Sequence, residues 1–462
     1  MIKMKYMAIL LLVVFLTSSC QKYLDIKRTN SESPISNAND LQLLLDNTIL
    51  NQGYPSDMNL SSDDFYVSDN AYTASNVSSE DRAFYIWSGS AIRGAPEAQW
   101  QTTFKTIYTS NVVLEYAKKF LEQDNGDKSL LNRCRGTALF IRAYAHWWIA
   151  QLYAKPFSST ATQDLGIPLR LTSDINSVSS RGTVQTTYDS IIQDLLESVD
   201  LLPLNVAIAS RPSKASGYAM LARVYLSMEN YSEALVYATR CLEINNSLID
   251  FNTLDKNSIA PFVQYNKEIL FNSVTISTPL LEPGTTVPVA MVDPALASSY
   301  NINDLRGILY IKPNSAPYSN TYRFSGNYTG STSSNLFNGL AVDEVYLIKA
   351  EAEARTGNSS SAMLTLNTLL RTRWRSGTFM DFTAINNDDA LFKILTERRK
   401  ELLFRGVRWT DLRRLNQDTR FTRNLSRTVQ GTTYTLPAND LRYVLLIPSS
   451  VINNSGISQN LR

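Results

Sequence analysis

Histidine is nearly missing from this chain: His146 is the single copy in 462 residues. That scarcity removes histidine-based catalytic triads elsewhere in the sequence and any multi-histidine zinc site. In the run AYAHWWIA, His146 reads as a packed core or rim side chain on a helix. Cysteine is almost as rare, with Cys20, Cys134 and Cys241. Cys134 and Cys241 sit in helix-like apolar patterns and read as small buried hydrophobes, not as a disulfide framework. No Walker loop, G-x-G-x-x-G or G-x-S-x-G is present, so nucleotide-binding loops and nucleophile elbows are excluded. Charge of one sign is lacking as well. Once Lys3 and Lys5 of the leader are set aside, 42 basic side chains face 42 acidic ones. A near-neutral chain argues against nucleic acid as a partner, because non-specific binding of polyanions needs a sustained basic surface.

What is present begins with the first twenty residues, MIKMKYMAILLLVVFLTSSC. A lysine-bearing start, an apolar run from Met7 to Leu16 and small residues before Cys20 fit a secretory leader. The run is too short for a spanning helix, which takes about 20 residues. Small residues directly before a cysteine are similar to a bacterial lipobox, in which Cys20 is cleaved, acylated and becomes residue one. Acyl chains contribute about 0.8 kcal/mol per buried CH₂, so a multiply acylated cysteine holds a soluble domain at a membrane. No later segment could span one.

A polar tether over 21–39 precedes a helix at 41–50. Residues 51–99 read as loops with short helices, carrying Tyr54, Phe65, Tyr66, Tyr72, Tyr85 and Trp87. Apolar positions then recur at helical spacing over Trp100–Phe120, 131–153 and 186–202. In YAMLARVYLSMENYSEALVYATRC (218–241), Tyr218, Leu221, Ala222, Tyr225, Ala234, Ala238 and Cys241 follow tetratricopeptide spacing. Small residues at 222, 234 and 238 let two antiparallel helices approach. Residues 346–370 look like a weaker copy, and the helices at 131–153 and 186–202 supply a third pair, enough for such units to stack. Between the pairs, 245–340 is rich in Asn, Ser, Thr, Gly and Tyr, with strand-like EILFNSV and LRGILYI; long loops on a rigid scaffold tend to carry function.

Binding suits this composition better than catalysis. Sugar rings offer apolar C–H faces and many hydroxyls, so a glycan site wants aromatic platforms beside Asn, Asp, Arg and Gln. The candidate platforms are Tyr54, Phe65, Tyr66, Tyr72 and Trp87 from the first loop region, with Tyr300, Tyr310, Tyr318 and Tyr322 from the second. Acidic pairs such as Asp63-Asp64 and Asp388-Asp389 read as solvated surface. No pattern points to a metal or a cofactor.

Several stretches in order resemble the SusD/RagB family of Bacteroidetes outer-membrane nutrient-binding lipoproteins. They are TSSCQKYLD; W-x(3)-F-x(2)-I-x(3)-N from Trp100 to Asn111; RGTALFIRAYAHWWIAQLYAKPF; Y-x(2)-I-x(2)-DL from Tyr188; and RPSKASGYAMLARVYLSMENYSEAL. Asp304-Leu305-Arg306, LIKAEAEARTGN, ERRKELLFRGVRWTDLRR and IPSSVINNSGISQN complete the set, which spans nearly the whole chain. The resemblance implies a mainly α fold: a tetratricopeptide-like scaffold with a loop-rich, minor-β face for ligand. It divides the chain into a lipoprotein signal peptide (1–19), an N-terminal helical region with loop insertions (20–210) and a helix pair (211–245). A C-terminal region (246–462) follows, with variable loops over 246–340 and helices over 341–415.

The function implied is non-catalytic: capture of a glycan, oligosaccharide or other nutrient and delivery to a SusC-like TonB-dependent transporter, from a lipid anchor at the outer membrane. Two alternatives stay open, a helical-repeat lipoprotein that binds protein or peptide and an all-helical glycoside hydrolase. The arginine-rich stretch 396–414 is expected to open with a helix that has Ile394, Leu395, Leu402 and Leu403 on its apolar face and ends near Gly406, its charges able to pair at four-residue spacing, Glu401 with Arg405 and Lys393 with Glu397. Its Glu401, Arg408 and Asp411 are expected to form buried structural ion pairs.

Overall fold

Apolar periodicity and well-placed caps account for the helices of the computed structural model, which describes residues 35–94, 98–178, 180–284 and 287–462. The leader and Cys20 lie outside the described residues. α1 (Ala38–Leu45) opens with a capping box in which Asn37 and Asp40 exchange side-chain and backbone hydrogen bonds. α2 (Asp57–Ser61) is a single short turn. α3 (Ala98–Glu122) and α4 (Lys128–Tyr153) are long antiparallel neighbours, with Asp127 capping the second. α4 is the central post: every residue from Gly136 to Tyr153 is buried. α5 (Val184–Leu201) packs along it, close enough that a Cβ on Gly136 would stand 2.8 Å from Leu201. Arg142 of α4 ties three helices together, donating to both oxygens of Asp194 on α5 (2.8 and 2.7 Å) and to Oδ1 of Asn111 on α3 (2.9 Å).

α6 (Lys214–Ser227) and α7 (Tyr231–Ile244) form the expected pair, with Ala222, Ala234 and Ala238 fully buried between neighbours. Their turn places Glu229 in the left-handed region at φ 58°. α8 (Val342–Arg355) and α9 (Ser359–Arg371) repeat the arrangement, and α8 packs against α7. A smaller apolar core, with Leu347, Leu366, Leu370 and Ile394, joins this pair to α10 (Asn387–Glu401).

The arginine-rich helix stops at Glu401, somewhat before the Gly406 end that the sequence suggests, and a second helix follows. α10 ends at Glu401, the chain turns through Phe404 (φ 60°) and Gly406 (φ 79°), and α11 (Arg408–Leu415) leaves in a new direction. Gly406 serves that turn: its φ suits glycine, and a Cβ there would stand 3.1 Å from the Trp148 ring. A second difference lies in LRGILYI, read as a strand from its β-branched and apolar content. Arg306–Leu309 is a turn of helix, and only Ile311–Pro313 is extended.

Strands are short. β1 (Phe65–Tyr66), β2 (Leu165–Pro168), β3 (Arg181–Thr183), β4 (Ile269–Phe271), β5 (Met291–Val292), β6 (Ile311–Pro313), β7 (Tyr322–Phe324), β8 (Leu340–Ala341), β9 (Leu425–Val429) and β10 (Thr432–Leu436) pair antiparallel throughout. The largest sheet has the order β1-β5-β7-β6.

Candidate functional site

The two loop-rich regions of the sequence meet in space. Phe65 and Tyr66 of β1 pair with Val292 and Met291 of β5. Tyr54 donates its N–H to the Val274 carbonyl (3.3 Å), and Ile276 N–H donates to the Tyr54 carbonyl (2.8 Å). Thr278 Oγ1 donates to Asp81 (2.8 Å), and Asp293 N–H donates to the Asp64 carbonyl (2.9 Å). The two segments are stitched into one face by these contacts, although some two hundred residues separate them.

Four of the nine aromatic side chains expected on that face turn inward. Tyr54, Phe65, Trp87 and Tyr310 are only 1, 3, 4 and 2% exposed, so they are corrected from ligand platforms to core. The reason is a set of partners that loop composition does not reveal. Tyr54 meets Tyr144 edge-on, and its hydroxyl donates to the Leu50 carbonyl. Phe65 packs on Tyr85 and Phe404. Trp87 donates its indole N–H to the Ser61 carbonyl and lies under Arg427, while the Tyr310 hydroxyl donates to Glu401. Tyr300 is half-buried with its hydroxyl on the Lys400 carbonyl (2.9 Å). Tyr66, Tyr72, Tyr318 and Tyr322 keep partial exposure. In register, Tyr66 shares a face of the sheet with Arg323 and Lys312.

A concavity of about 430 Å³ opens where the loop after α1 meets the segments around 264–274 and 329–335. Its lining mixes amides and hydroxyls, from Asn51, Gln264, Tyr265, Asn272, Thr329 and Asn335 among others, with the apolar Leu45, Ile208 and Val274 and the Asp46 carboxylate. Asn51 Nδ2 bridges the Ser210 and Asn272 carbonyls, both at 2.8 Å, and Asn335 Nδ2 holds the Thr275 carbonyl at 3.1 Å. Asn272 is 5% exposed, yet its Oδ1 has no hydrogen-bond partner among the described residues. A buried acceptor in that state costs about 1–3 kcal/mol. Tyr265, which also lines the concavity, is 39% exposed and sits at φ 58°. Sequence reasoning by aromatics alone missed these residues. The available signal was the density of hydroxyls and amides in NYTGSTSSN, 327–335.

Away from the concavity, the acidic members of the charged motif and Arg408 are paired. Glu401 accepts from Arg373 (2.7 Å) and Arg306 (3.0 Å), Arg408 holds both oxygens of Asp63 (2.6 and 3.0 Å), and Asp411 accepts from Arg398 (2.8 Å) and Arg414 (3.0 Å). The expected Glu401–Arg405 pair does not form, because the helix stops at Glu401 and Arg405 turns to Asp343. Nor does Lys393 meet Glu397: the lysine holds Asp389, and Glu397 holds Arg306 and Lys400.

Burial drives the Glu401 carboxyl upward, but Arg373 and Arg306 outweigh it and hold the group below its ordinary value. Glu268 behaves oppositely. Burial pushes it up to about 7 despite Arg373, with Asp343 and Glu401 adding repulsion. No cluster of His, Cys, Asp and Glu suited to a metal ion occurs among the described residues, and no helix there is long and apolar enough to cross a membrane.

This geometry has known relatives. A family described as starch-binding and associating with the outer membrane matches residues 22–226, and the SusD family matches residues 312–461. SusD-like protein P2 of Formosa agariphila is 25% identical over 381 residues, covering 70% of this chain and 72% of that protein. A SusD superfamily protein from Bacteroides thetaiotaomicron superposes with a TM-score of 0.75 at 21% identity, over 92% of this chain and 100% of that one. A SusD-like carbohydrate binding protein from Bacteroides vulgatus gives a TM-score of 0.70 at 20% identity, over 91% and 97% of the two chains.

Proposed function

The chain belongs to the SusD/RagB family, and from that premise we propose that it is a non-catalytic lipoprotein that captures a glycan and passes it to a SusC-like TonB-dependent transporter. Acylation at Cys20 holds it at the outer membrane, with the helical scaffold towards the transporter and the loops towards ligand. The polar concavity carries this reading. A sugar hydroxyl both donates and accepts, so the carboxamides and hydroxyls in this lining can match it in either sense, and Asn272 contributes an acceptor, Oδ1, that the described residues leave unpaired. Tyr265 supplies a half-exposed ring at the rim for a sugar C–H face. The half-exposed Tyr66, Tyr72, Tyr318 and Tyr322 remain the aromatic candidates for a longer ligand.

Isothermal titration against a panel of neutral oligosaccharides tests the site. Asn272→Ala and Tyr265→Ala should each weaken binding by about 1–2 kcal/mol, the scale of one hydrogen bond or one stacking contact, while both variants remain folded. Wild-type affinity in both variants would remove the concavity from the account.

A further inference from the structure

A second concavity, of about 530 Å³, lies between α10, α11 and the segments around 295–299 and 420–423. Its inner end is a knot of guanidinium groups on one carboxylate. Besides Arg408, Asp63 receives Arg399 Nη2 at 3.3 Å and Arg423 Nε at 3.1 Å. Three arginines saturate Asp63, and Arg423 spends only Nε on it. Its side chain is 47% exposed, and Nη1 and Nη2 have no acceptor among the described residues. Arg420 lines the same space but is occupied by Asp418 and Asp388. Apolar side chains line the same concavity: Leu412 is buried, Phe421 half-buried, and Phe392 is 65% exposed. An arginine edge with two free donors is a fork matched to a carboxylate, and an exposed phenyl ring lining the same concavity suits the C–H face of a pyranose.

We propose that this concavity binds a uronic-acid residue, its carboxylate on the Nη1/Nη2 edge of Arg423 and its ring against Phe392. The inference rests on the glycan reading above and narrows it to acidic sugars at this second place. Neighbouring Asp63 and Asp293 do not defeat it, because both already accept from arginine and carry no unspent fork. Selectivity follows from the same geometry: a neutral hexose leaves the Arg423 donors in water, whereas the uronate exchanges water for a charge-assisted pair.

The test is titration of the full mature chain with an oligoglucuronate, a glucose oligomer of equal length, and acetate. The oligoglucuronate should bind, and Arg423→Ala should weaken it roughly ten- to a hundred-fold, the loss expected for charged hydrogen bonds. Arg423→Lys should recover only part of that, since it keeps the charge and loses the fork. Phe392→Ala should weaken the oligoglucuronate and leave acetate unaffected. Both side chains are substantially exposed, so the fold survives each change. In all three variants, binding of a neutral oligosaccharide through Asn272 and Tyr265 should persist. Oligoglucuronate affinity indifferent to Arg423, or acetate binding as tightly as the sugar acid, overturns the inference while the glycan reading stands. Loss of the neutral ligand together with the acidic one from a folded Arg423→Ala variant also overturns it, since the two places would then not be separate.

Discussion

His146 lies fully buried in α4 with neither ring nitrogen hydrogen-bonded among the described residues. Burial, reinforced by Arg142, holds its pKa down at about 3. The sign of the consequence is definite. Below about 6.5 the unfolded chain takes up a proton that the folded chain refuses, so this residue's contribution falls as pH drops from about 6.5 towards 3. Glu268 works in the other direction. Its folded pKa is raised to about 7, so its contribution is complete below the ordinary glutamate value and is lost as pH rises towards 7. The two slopes oppose each other in the wild type between about pH 4.5 and 6.5, and a difference measurement separates them. Between those limits the stability of His146→Phe relative to wild type should grow by about 1.4 kcal/mol for each pH unit of acidification, read by urea denaturation. A constant difference would mean that His146 protonates freely in the folded state.

At the scale of elements, the α10–α11 segment shows why some features were legible in the sequence and others were not. Long helices with regular apolar spacing, such as α4, and a pair marked by small residues, such as α6 and α7, announce themselves because local periodicity and close packing leave a one-dimensional trace. The charge partners of α10 leave no such trace. Glu401 reaches Arg306 and Arg373, residues 95 and 28 positions away, where spacing along a helix suggested Arg405. The burial of Tyr54 and Trp87 escaped sequence reading for the same reason, since their partners Tyr144 and Arg427 lie on distant elements. Glu401→Gln leaves two fully buried guanidiniums short of one charge. It should cost about 3–5 kcal/mol of folding stability in chemical denaturation while leaving the polar concavity intact. A melting curve superimposable on wild type would show that Arg306 and Arg373 are sufficiently held by Asp304, Glu397 and Glu268.

The whole molecule reads as a helical scaffold with one stitched loop face. The stitching through β1 and β5 turns two compositionally similar but distant loop regions into a single surface. That surface was foreseeable from the abundance of Asn, Ser, Thr and Tyr, but its cavity was not, because a cavity is set by which loops meet. The proposed delivery to a transporter would place a demand on the chemistry: the ligand would have to leave as it arrived. The account's central claim, capture of a glycan without reaction, is tested most directly by one incubation. The purified chain is held with the neutral oligosaccharide it binds best in the titration panel, while bound ligand and reducing ends are followed together over hours. The account predicts saturable, reversible binding with no increase in reducing ends; reducing ends that accumulate in proportion to the protein would contradict it.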